Sequence, residues 1–357
     1  MTGTPDLTKP AEEEGFNPPV IPLFGELRDR PRPAPLIKGL LNKSSLTMLT
    51  GAPGSYKSLM AMSWAFSIAM PGIKHWEGYA VKEHGDVLYL AAEGGEWLWE
   101  FAVAWAVHKG VDVNDLNGRF WAYDEQVNIG DWRWKAWILQ QVEQMRPKLI
   151  VLDTKERASS GLDENSVADQ GNVIDFLEEV RKKTGACILP VHHTSKSGAG
   201  PRGSSVWDGA VHYDLRLSRD EIGDEYSGKT KAKTVTLLCH KRKGEEDQCQ
   251  HRFRADFVTL PEELRRPDGE PGEERSIVLV NDEEAEFFSI VGADKAREKV
   301  LSILDECGQL NKSALMKFMT EDHSISERQA YASIQALVRE AKVIEENNRN
   351  SKRYRKA

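Results

Sequence analysis

The segment Gly51-Ala52-Pro53-Gly54-Ser55-Tyr56-Lys57-Ser58 is the most informative part of this sequence. It follows residues 45–50, where apolar and hydroxyl residues alternate as in a strand, and precedes the apolar run 59–70, which predicts a helix. A glycine-rich loop between a strand and a helix directs backbone N–H groups at an anion. Lys57 and Ser58 stand where a phosphate-binding lysine and a Mg²⁺-binding hydroxyl belong. The alternative is an ordinary strand-to-helix turn.

The segment departs from the usual G-x-x-x-x-G-K-[ST] pattern at one position. Tyr56 stands directly before the lysine, where that pattern has glycine. The tyrosine ring must therefore point away from the phosphates or stack on the nucleotide. The residues that we expect to contact a nucleotide are Gly51, Pro53, Gly54, Ser55, Tyr56, Lys57 and Ser58.

Length and composition limit the class of protein. A chain of 357 residues can form two domains, or one large α/β domain with appendages. It is 40% hydrophobic and 29% charged, with no bilayer-length apolar run and no apolar leader in residues 1–20, so we expect a soluble cytoplasmic protein without a membrane partner. The net charge of −8 argues against a nucleic-acid coat over the whole surface but permits a local basic groove.

Carboxylates end two later strand-like runs. Glu93 follows the apolar run 85–92, and Asp153 ends the run 148–153. Because the carboxyl ends of parallel strands meet at a ligand-binding edge, Glu93 can activate a water, and Asp153 can hold a water of the Mg²⁺ ion that Ser58 binds. The alternatives are a helix-start carboxylate for Glu93 and a buried capping aspartate for Asp153.

A helix predicted over 173–183 leads to the strand 186–191, which delivers His192 and His193 to the same edge. Neighbouring residues of a strand point to opposite sides, and no third ligand is evident. We therefore favour a polar sensor of the γ-phosphate over a metal site. The glycine- and serine-rich segment 195–205 suits a loop that tracks nucleic-acid phosphates, and a solvated surface loop is the alternative.

A basic cluster follows the strand-like runs 212–217 and 233–240. It reads His240-Lys241-Arg242-Lys243-Gly244. A guanidinium there can project into a neighbouring subunit's nucleotide and stabilise charge on the transferring phosphoryl group. A solvated loop tip is the alternative.

Composition divides the chain into four segments. Residues 1–35 form a flexible proline-rich arm, 36–260 the core, and 261–293 an acidic closing segment and linker. Residues 294–357 carry three predicted helices, a β-ribbon and a basic tail, which favour a small winged-helix-like domain with 326–341 as its recognition helix. A protein-interaction role for that domain is the alternative.

Together these motifs resemble the RecA-like hexameric ATPases of the DnaB and RadA type, and most closely the RepA-like helicases of plasmids and phages. The resemblance covers about residues 36–260 and rests on the segments 51–58, 89–93, 149–154, 163–166, 192–194 and 202–205. It implies an α/β fold: a RecA-like P-loop NTPase core with a mainly parallel central sheet flanked by helices. ATP and Mg²⁺ would be its cofactors.

The resemblance also implies a role for each site residue. Lys57 and Ser58 would bind phosphates and Mg²⁺. Glu93 would be the catalytic base, Asp153 the acid of the second motif, and His193 the sensor.

The loops after Asp153 and His193 would face the central channel of a hexameric ring and hold single-stranded or forked DNA. Their expected DNA contacts are Arg157, Lys196, Arg202 and Ser204. The family's trans-acting pattern is commonly K-x-R-x-G, and aligning it on Gly244 makes Arg242 the arginine finger. His240 then stands at the lysine position, so Lys241 or Lys243 would have to substitute.

The resemblance leads us to expect an ATP-dependent, ring-forming DNA helicase or translocase of phage or plasmid replication, with a primase or another replication protein as a partner. Two alternatives stay open. One is a RadA-like recombination or branch-migration ATPase, and the other is an ATP-switched DNA-binding regulator that does not unwind DNA.

Overall fold

The computed structural model describes residues 23–29, 32–194, 204–221, 233–244, 249–267, 275–282, 297–319, 333–334, 337–338, 342–348 and 351–357. The chain divides into two compact units, one of residues 1–250 and 255–280, the other of residues 251–254 and 281–357. Within the described ranges, no helix has the length and apolar character needed to cross a membrane.

The strands as far as residue 281 are β1 (Pro35–Ile37), β2 (Leu41–Asn42), β3 (Thr47–Gly51), β4 (His75–Trp76), β5 (Tyr79–Ala80), β6 (Val87–Ala91), β7 (Phe120–Tyr123), β8 (Leu149–Asp153), β9 (Cys187–His193), β10 (Tyr213–Glu221), β11 (Lys233–Arg242), β12 (Cys249–Thr259) and β13 (Arg275–Asn281). The α-helices of the first unit are α1 (Lys57–Ala69), α2 (Leu98–Lys109), α3 (Trp132–Met145), α4 (Lys155–Ala158), α5 (Val167–Thr184) and α6 (Val206–Ala210). Short 3₁₀ helices cover Phe24–Asp29, Gly95–Trp97, Val113–Leu116 and Glu262–Leu264.

Nine of these strands form one sheet in the order β13-β12-β11-β10-β3-β9-β8-β6-β7. The strands from β10 to β7 in this order are all parallel, and β11 pairs antiparallel with β10. The expected α/β core with a mainly parallel sheet is therefore confirmed. β1 pairs with β2, and β4 pairs with β5, in two small antiparallel sheets.

Helices cover both faces of the parallel strands because alternate strand residues point to opposite sides. Leu88, Leu90, Ile150 and Leu152 pack in a core cluster with residues of α3, α5 and α6. On the other face, Phe66 of α1 contacts Trp105 of α2, with ring centroids 5.5 Å apart. This two-sided burial fixes the strand register, so the residues that follow each strand are held at one edge.

Two of the elements that differ from the expectations are α5 and β12. α5 begins at Val167 rather than at residue 173, because the Ser166 side chain caps the helix by accepting from the Asp169 N–H at 3.2 Å. β12 was not predicted. Most of its residues are half-buried or exposed, and the apolar run that marks the central strands is missing.

The second unit contains α7 over residues 297–307, α8 (Lys312–Lys317), and the strands β14 (Leu310–Asn311), β15 (Val343–Asn348) and β16 (Ser351–Lys356). β16 pairs antiparallel with both other strands. Ile334 and Leu337 are buried in the same core as Leu304 and Tyr354. Most of the helix expected over 326–341 lies outside the described residues, as does most of the arm 1–35.

Candidate functional site

The phosphate loop connects β3 to α1 by a tight turn. An ideal Cβ at Gly51 would lie 2.5 Å from both the Leu217 carbonyl oxygen and Ser55 Oγ, so only glycine fits there. Tyr56 has φ 67° and ψ 28°, the left-handed region that favours glycine, and α1 begins at the next residue. A conformation that favours glycine is therefore adopted here by a tyrosine, at some cost in strain, at the position where the usual pattern has glycine.

The Lys57 side chain is almost fully buried at the phosphate loop. Its Nζ donates a 2.8 Å hydrogen bond to the Ala52 carbonyl. Burial lowers the pKa of Lys57 to about 8, although the negative charges of Asp153 and Glu93 act to raise it. The ammonium group is therefore held at the loop without a direct ion pair to either carboxylate.

Asp153 is fully buried at the tip of β8. The Tyr89 hydroxyl donates a 2.6 Å hydrogen bond to Asp153 Oδ2. Burial raises the pKa of Asp153 to about 6, against the hydrogen bonds from Tyr89 and Ser58 and the charge of Lys57, which lower it. Among the described residues, no group hydrogen bonds to Asp153 Oδ1, which is also buried.

Glu93 lies two residues beyond the end of β6, and β6 is the strand next to β8, which ends in Asp153. Its backbone N–H donates to the Asp153 carbonyl at 3.1 Å, and its Oε2 accepts from Thr154 Oγ1 at 3.4 Å. The side chain is exposed. The carboxylate is thus oriented by a neighbouring hydroxyl and remains open to water.

His193 is directly opposite Gly51 in the pairing of β9 with β3. The Thr194 N–H donates to the Gly51 carbonyl at 3.2 Å, which ties the end of β9 to the start of the phosphate loop. His192 is buried and His193 half-buried. Neither imidazole belongs to a group of three possible metal ligands in the part of the chain that the structure describes.

A second lysine of the site was not predicted. Lys155, in the short helix after Asp153, is 1% exposed, and its Nζ donates to Gln170 Oε1 at 2.9 Å. The same Nζ lies 4.8 Å from the ring centroid of Trp207, whose Nε1 also donates to Gln170 Oε1 at 2.9 Å. Burial lowers the pKa of Lys155 to about 8. One buried cation therefore joins the helix after β8, the start of α5, and α6.

Arg219 is the other contact that the sequence did not predict. Its Nη1 donates to the Gly54 carbonyl at 3.0 Å, and its guanidinium carbon lies 5.4 Å from the centroid of the Tyr56 ring. The Tyr56 ring is therefore packed against a cation of the same chain.

Arg242 lies at the opposite end of the parallel strands from the phosphate loop. Arg242 on β11 pairs with Tyr213 on β10, and Tyr213 pairs with Thr47 at the start of β3, whereas Gly51 ends that strand. Arg242 Nη1 donates to Cys249 Sγ at 3.4 Å. Arg242 is thus separated from its own phosphate loop by roughly the length of β3, about 13 Å at the usual rise of a strand.

The expected DNA contacts are placed only in part. Arg157 is exposed on α4, and its backbone N–H donates to the Thr154 hydroxyl at 3.5 Å. Ser204 N–H donates to the Glu164 carbonyl at 2.8 Å, which joins the two loops behind Asp153 and His193. Lys196 and Arg202 lie outside the described residues.

The residues at this edge fit a Mg²⁺–nucleotide complex. Ser58 and Asp153 offer a hydroxyl and a carboxylate, the oxygen ligands that Mg²⁺ and its bound waters prefer. Two buried oxygens here, Asp153 Oδ1 and Ser55 Oγ, have no hydrogen-bond partner among the described residues, so both have capacity for a ligand. Lys57 Nζ and the N–H groups at the start of α1 supply positive charge for phosphates.

Comparison with protein-family models matches residues 18–199, just over half of the chain, to the family described as AAA domain. The match contains β3, the phosphate loop, Glu93 and the strands β8 and β9 that end in Asp153 and His193, and it ends before β10. No curated protein matches the chain.

Proposed function

The chain belongs to the AAA domain family, and from this we propose that it is an ATP-hydrolysing, ring-forming DNA helicase or translocase of the RepA-like type, acting in phage or plasmid replication. The observation that carries the proposal is the convergence of Lys57, Asp153 and Glu93 at one edge of the parallel sheet, with Arg242 at the other.

The residues of the phosphate-loop edge divide the work of hydrolysis. Lys57, now bonded to the Ala52 carbonyl, exchanges that partner for phosphate oxygens. Ser58 and Asp153 would hold Mg²⁺, which when bound would neutralise charge on the phosphates. Glu93 orients and deprotonates the attacking water while Thr154 keeps its carboxylate in place.

Arg242 acts across a subunit interface in this proposal. The strand register keeps it away from its own phosphate loop, which supports a role at the nucleotide of a neighbouring subunit. A ring in which each subunit supplies a phosphate loop on one side and Arg242 on the other completes every site. A hexamer is the closed arrangement implied by the RepA-like resemblance.

The DNA contacts follow from the same edge. Arg157 lies about one helical turn after Asp153, in α4. The Ser204 N–H donates a hydrogen bond to the Glu164 carbonyl in the loop that precedes α5. Together with Lys196 and Arg202 they would line the channel and bind the phosphates of single-stranded DNA. His193, opposite Gly51, would transmit the state of the nucleotide to that loop.

The second unit is proposed as a winged-helix module that recruits DNA or a replication protein such as a primase. Its helices and the β15–β16 ribbon support that assignment. Three ribbon cations are already paired within the unit: Lys352 with Glu345, Arg355 with Glu346, and Lys356 with Asp305. Because these pairs reduce the free positive charge of the ribbon, they favour a protein partner over DNA for that strand.

The decisive experiment measures ATP hydrolysis with and without single-stranded DNA, beside fork unwinding by the same preparation, with Lys57→Ala as the blank. We expect DNA-stimulated hydrolysis and strand separation that both disappear in the blank. Stimulated hydrolysis with branch migration or annealing but no unwinding would replace the helicase by a recombination motor. ATP binding without turnover would replace it by an assembly switch.

A further inference from the structure

The strand β10 continues beyond the edge at which the phosphate loop begins. Leu217 is the last residue of β10 that pairs with β3, opposite Gly51, and β10 runs on to Glu221 in pairing with β11 alone. Residues 215, 217 and 219 share one face of the strand, and the first two are buried leucines. Arg219 therefore extends that face over the phosphate loop.

Arg219 holds the loop at two points. Its hydrogen bond to the Gly54 carbonyl fixes the peptide unit between Gly54 and Ser55, and the N–H of a planar trans peptide points opposite to its carbonyl. That Ser55 N–H is directed inward, where it donates to the Ala52 carbonyl at 3.1 Å. The second point is the face of the Tyr56 ring, which Arg219 covers at 5.4 Å.

The contact between Arg219 and the Tyr56 ring bears on a strained part of the backbone, because Tyr56 has a positive φ. A non-glycine residue in the left-handed region is strained and persists only where its surroundings hold it. Tyr56 is the residue directly before α1. A contact that fixes its ring therefore also restrains the backbone N–H groups at the start of α1. A loop with glycine at this position would have no side chain through which Arg219 could restrain the backbone.

We propose that Arg219 is a positioning residue that, through Gly54 and Tyr56, preorganises the phosphate loop for the triphosphate of the nucleotide. The inference rests on the proposed ATP site. Arg219 lowers the free energy of the binding conformation before the nucleotide arrives, so its effect falls on nucleotide affinity and not on the chemical step.

The test is a titration of ATP in the presence of Mg²⁺, read by calorimetry, together with steady-state hydrolysis. Arg219→Ala is expected to raise the ATP Kd about tenfold, the combined loss of a hydrogen bond and a cation–π contact, while kcat at saturating ATP changes less than about twofold. Arg219→Lys should recover only part of the affinity, because an ammonium group lacks the planar fork that bonds and stacks at once.

The variants at Tyr56 show whether Arg219 acts through the ring. Tyr56→Phe keeps the ring and should leave the effect of Arg219→Ala at about tenfold. In Tyr56→Gly, which removes the ring and the strain, Arg219→Ala should cost about threefold or less. Ser218→Ala, on the opposite face of the same strand, is the matched control and should bind ATP as the wild type does.

Two results would overturn the inference: an unchanged Kd in Arg219→Ala, or a fall in kcat at saturating ATP as large as the rise in Kd. Thermal unfolding of each variant identifies loss of fold, and Arg219→Gln then replaces the alanine variant. Failure of the wild-type chain to bind ATP would overturn the proposed function as well, whereas normal wild-type binding with no effect of Arg219 would overturn this inference alone.

Discussion

The hydroxyl of Tyr89 donates a 2.6 Å hydrogen bond to Oδ2 of Asp153 on the adjacent strand β8. Both side chains are fully buried, and the hydrogen bond is one of the influences that keep the carboxyl group ionisable near neutral pH. Asp153 has a pKa of about 6 and Lys57 one of about 8, so both are charged between these values.

Nucleotide affinity should therefore depend on pH at both ends of this window. Below about pH 6 Asp153 takes up a proton and would hold Mg²⁺ less tightly, and above about pH 8 Lys57 loses its proton and its attraction for phosphate. Tyr89→Phe removes a hydrogen bond to the ionised form, so the acidic midpoint should rise by roughly one unit, with the alkaline midpoint unchanged.

Binding of ATP with Mg²⁺ from pH 5 to 9 measures both midpoints. The phosphates of ATP titrate equally with either protein, so the difference between variant and wild type reports the protein group. Tyr123→Phe, which removes a tyrosine hydrogen bond to Glu125 rather than to Asp153, is the control. Superimposable profiles for Tyr89→Phe and the wild type would show that Asp153 does not set the acidic limit.

Glu93→Gln should bind ATP with near wild-type affinity and hydrolyse it roughly 10² times more slowly or worse, because an amide cannot accept the proton of the attacking water. Single-turnover hydrolysis and binding on one preparation separate the two effects. Glu96→Gln changes an exposed carboxylate of the following 3₁₀ helix and serves as the matched control. Full turnover in Glu93→Gln would remove this residue from the mechanism.

Gly51→Ala should reduce the free energy of unfolding by about 1–3 kcal/mol, since its Cβ would overlap the Leu217 carbonyl and Ser55 Oγ. ATP binding should be lost in the same variant because the loop must shift. Gly72→Ala, where no atom lies within 4 Å of the added Cβ, should stay within about 0.5 kcal/mol of the wild type in the same denaturant titration. Equal stability of the two variants would contradict the close approach.

Mixing inactive subunits tests the role of Arg242. Arg242→Ala and Lys57→Ala should each be inactive alone, and together they should regain part of the hydrolysis, because one interface in the mixed ring combines an intact loop with an intact arginine. Glu93→Gln mixed with Lys57→Ala is the control. Both of those changes damage the phosphate-loop side, so no interface is intact. No recovery with Arg242→Ala at any ratio would count against a trans role.

That Lys57, Glu93, Asp153 and His193 lie at one edge of the sheet could be predicted from the sequence, whereas their roles remain predictions. Lys57 and Glu93 follow strands with an apolar core pattern, Asp153 and His193 end such strands, and parallel strands bring these positions to one edge. The start of α5 was predicted at residue 173, six residues late, although the Ser166 side chain that caps the Asp169 N–H is a recognisable helix-start signal.

The contacts of Arg219 and Lys155 could not be predicted in this way. Arg219 reaches the loop only because β10 runs past β3, and the length of that overhang is a matter of register. Lys155 has the sequence context of a polar loop, and its burial depends on Gln170 and Trp207 from two other helices. Both contacts join residues that are distant in sequence and have no periodic pattern to connect them.

The placement of Arg242 and Gly51 at opposite edges of one sheet has a consequence for any assay of this chain. In the proposed ring, such a protomer would carry half of a site at each end and would complete neither. Its turnover per molecule should then fall on dilution, with a steeper than linear loss of rate at low protein concentration. An isolated subunit would bind ATP without hydrolysing it.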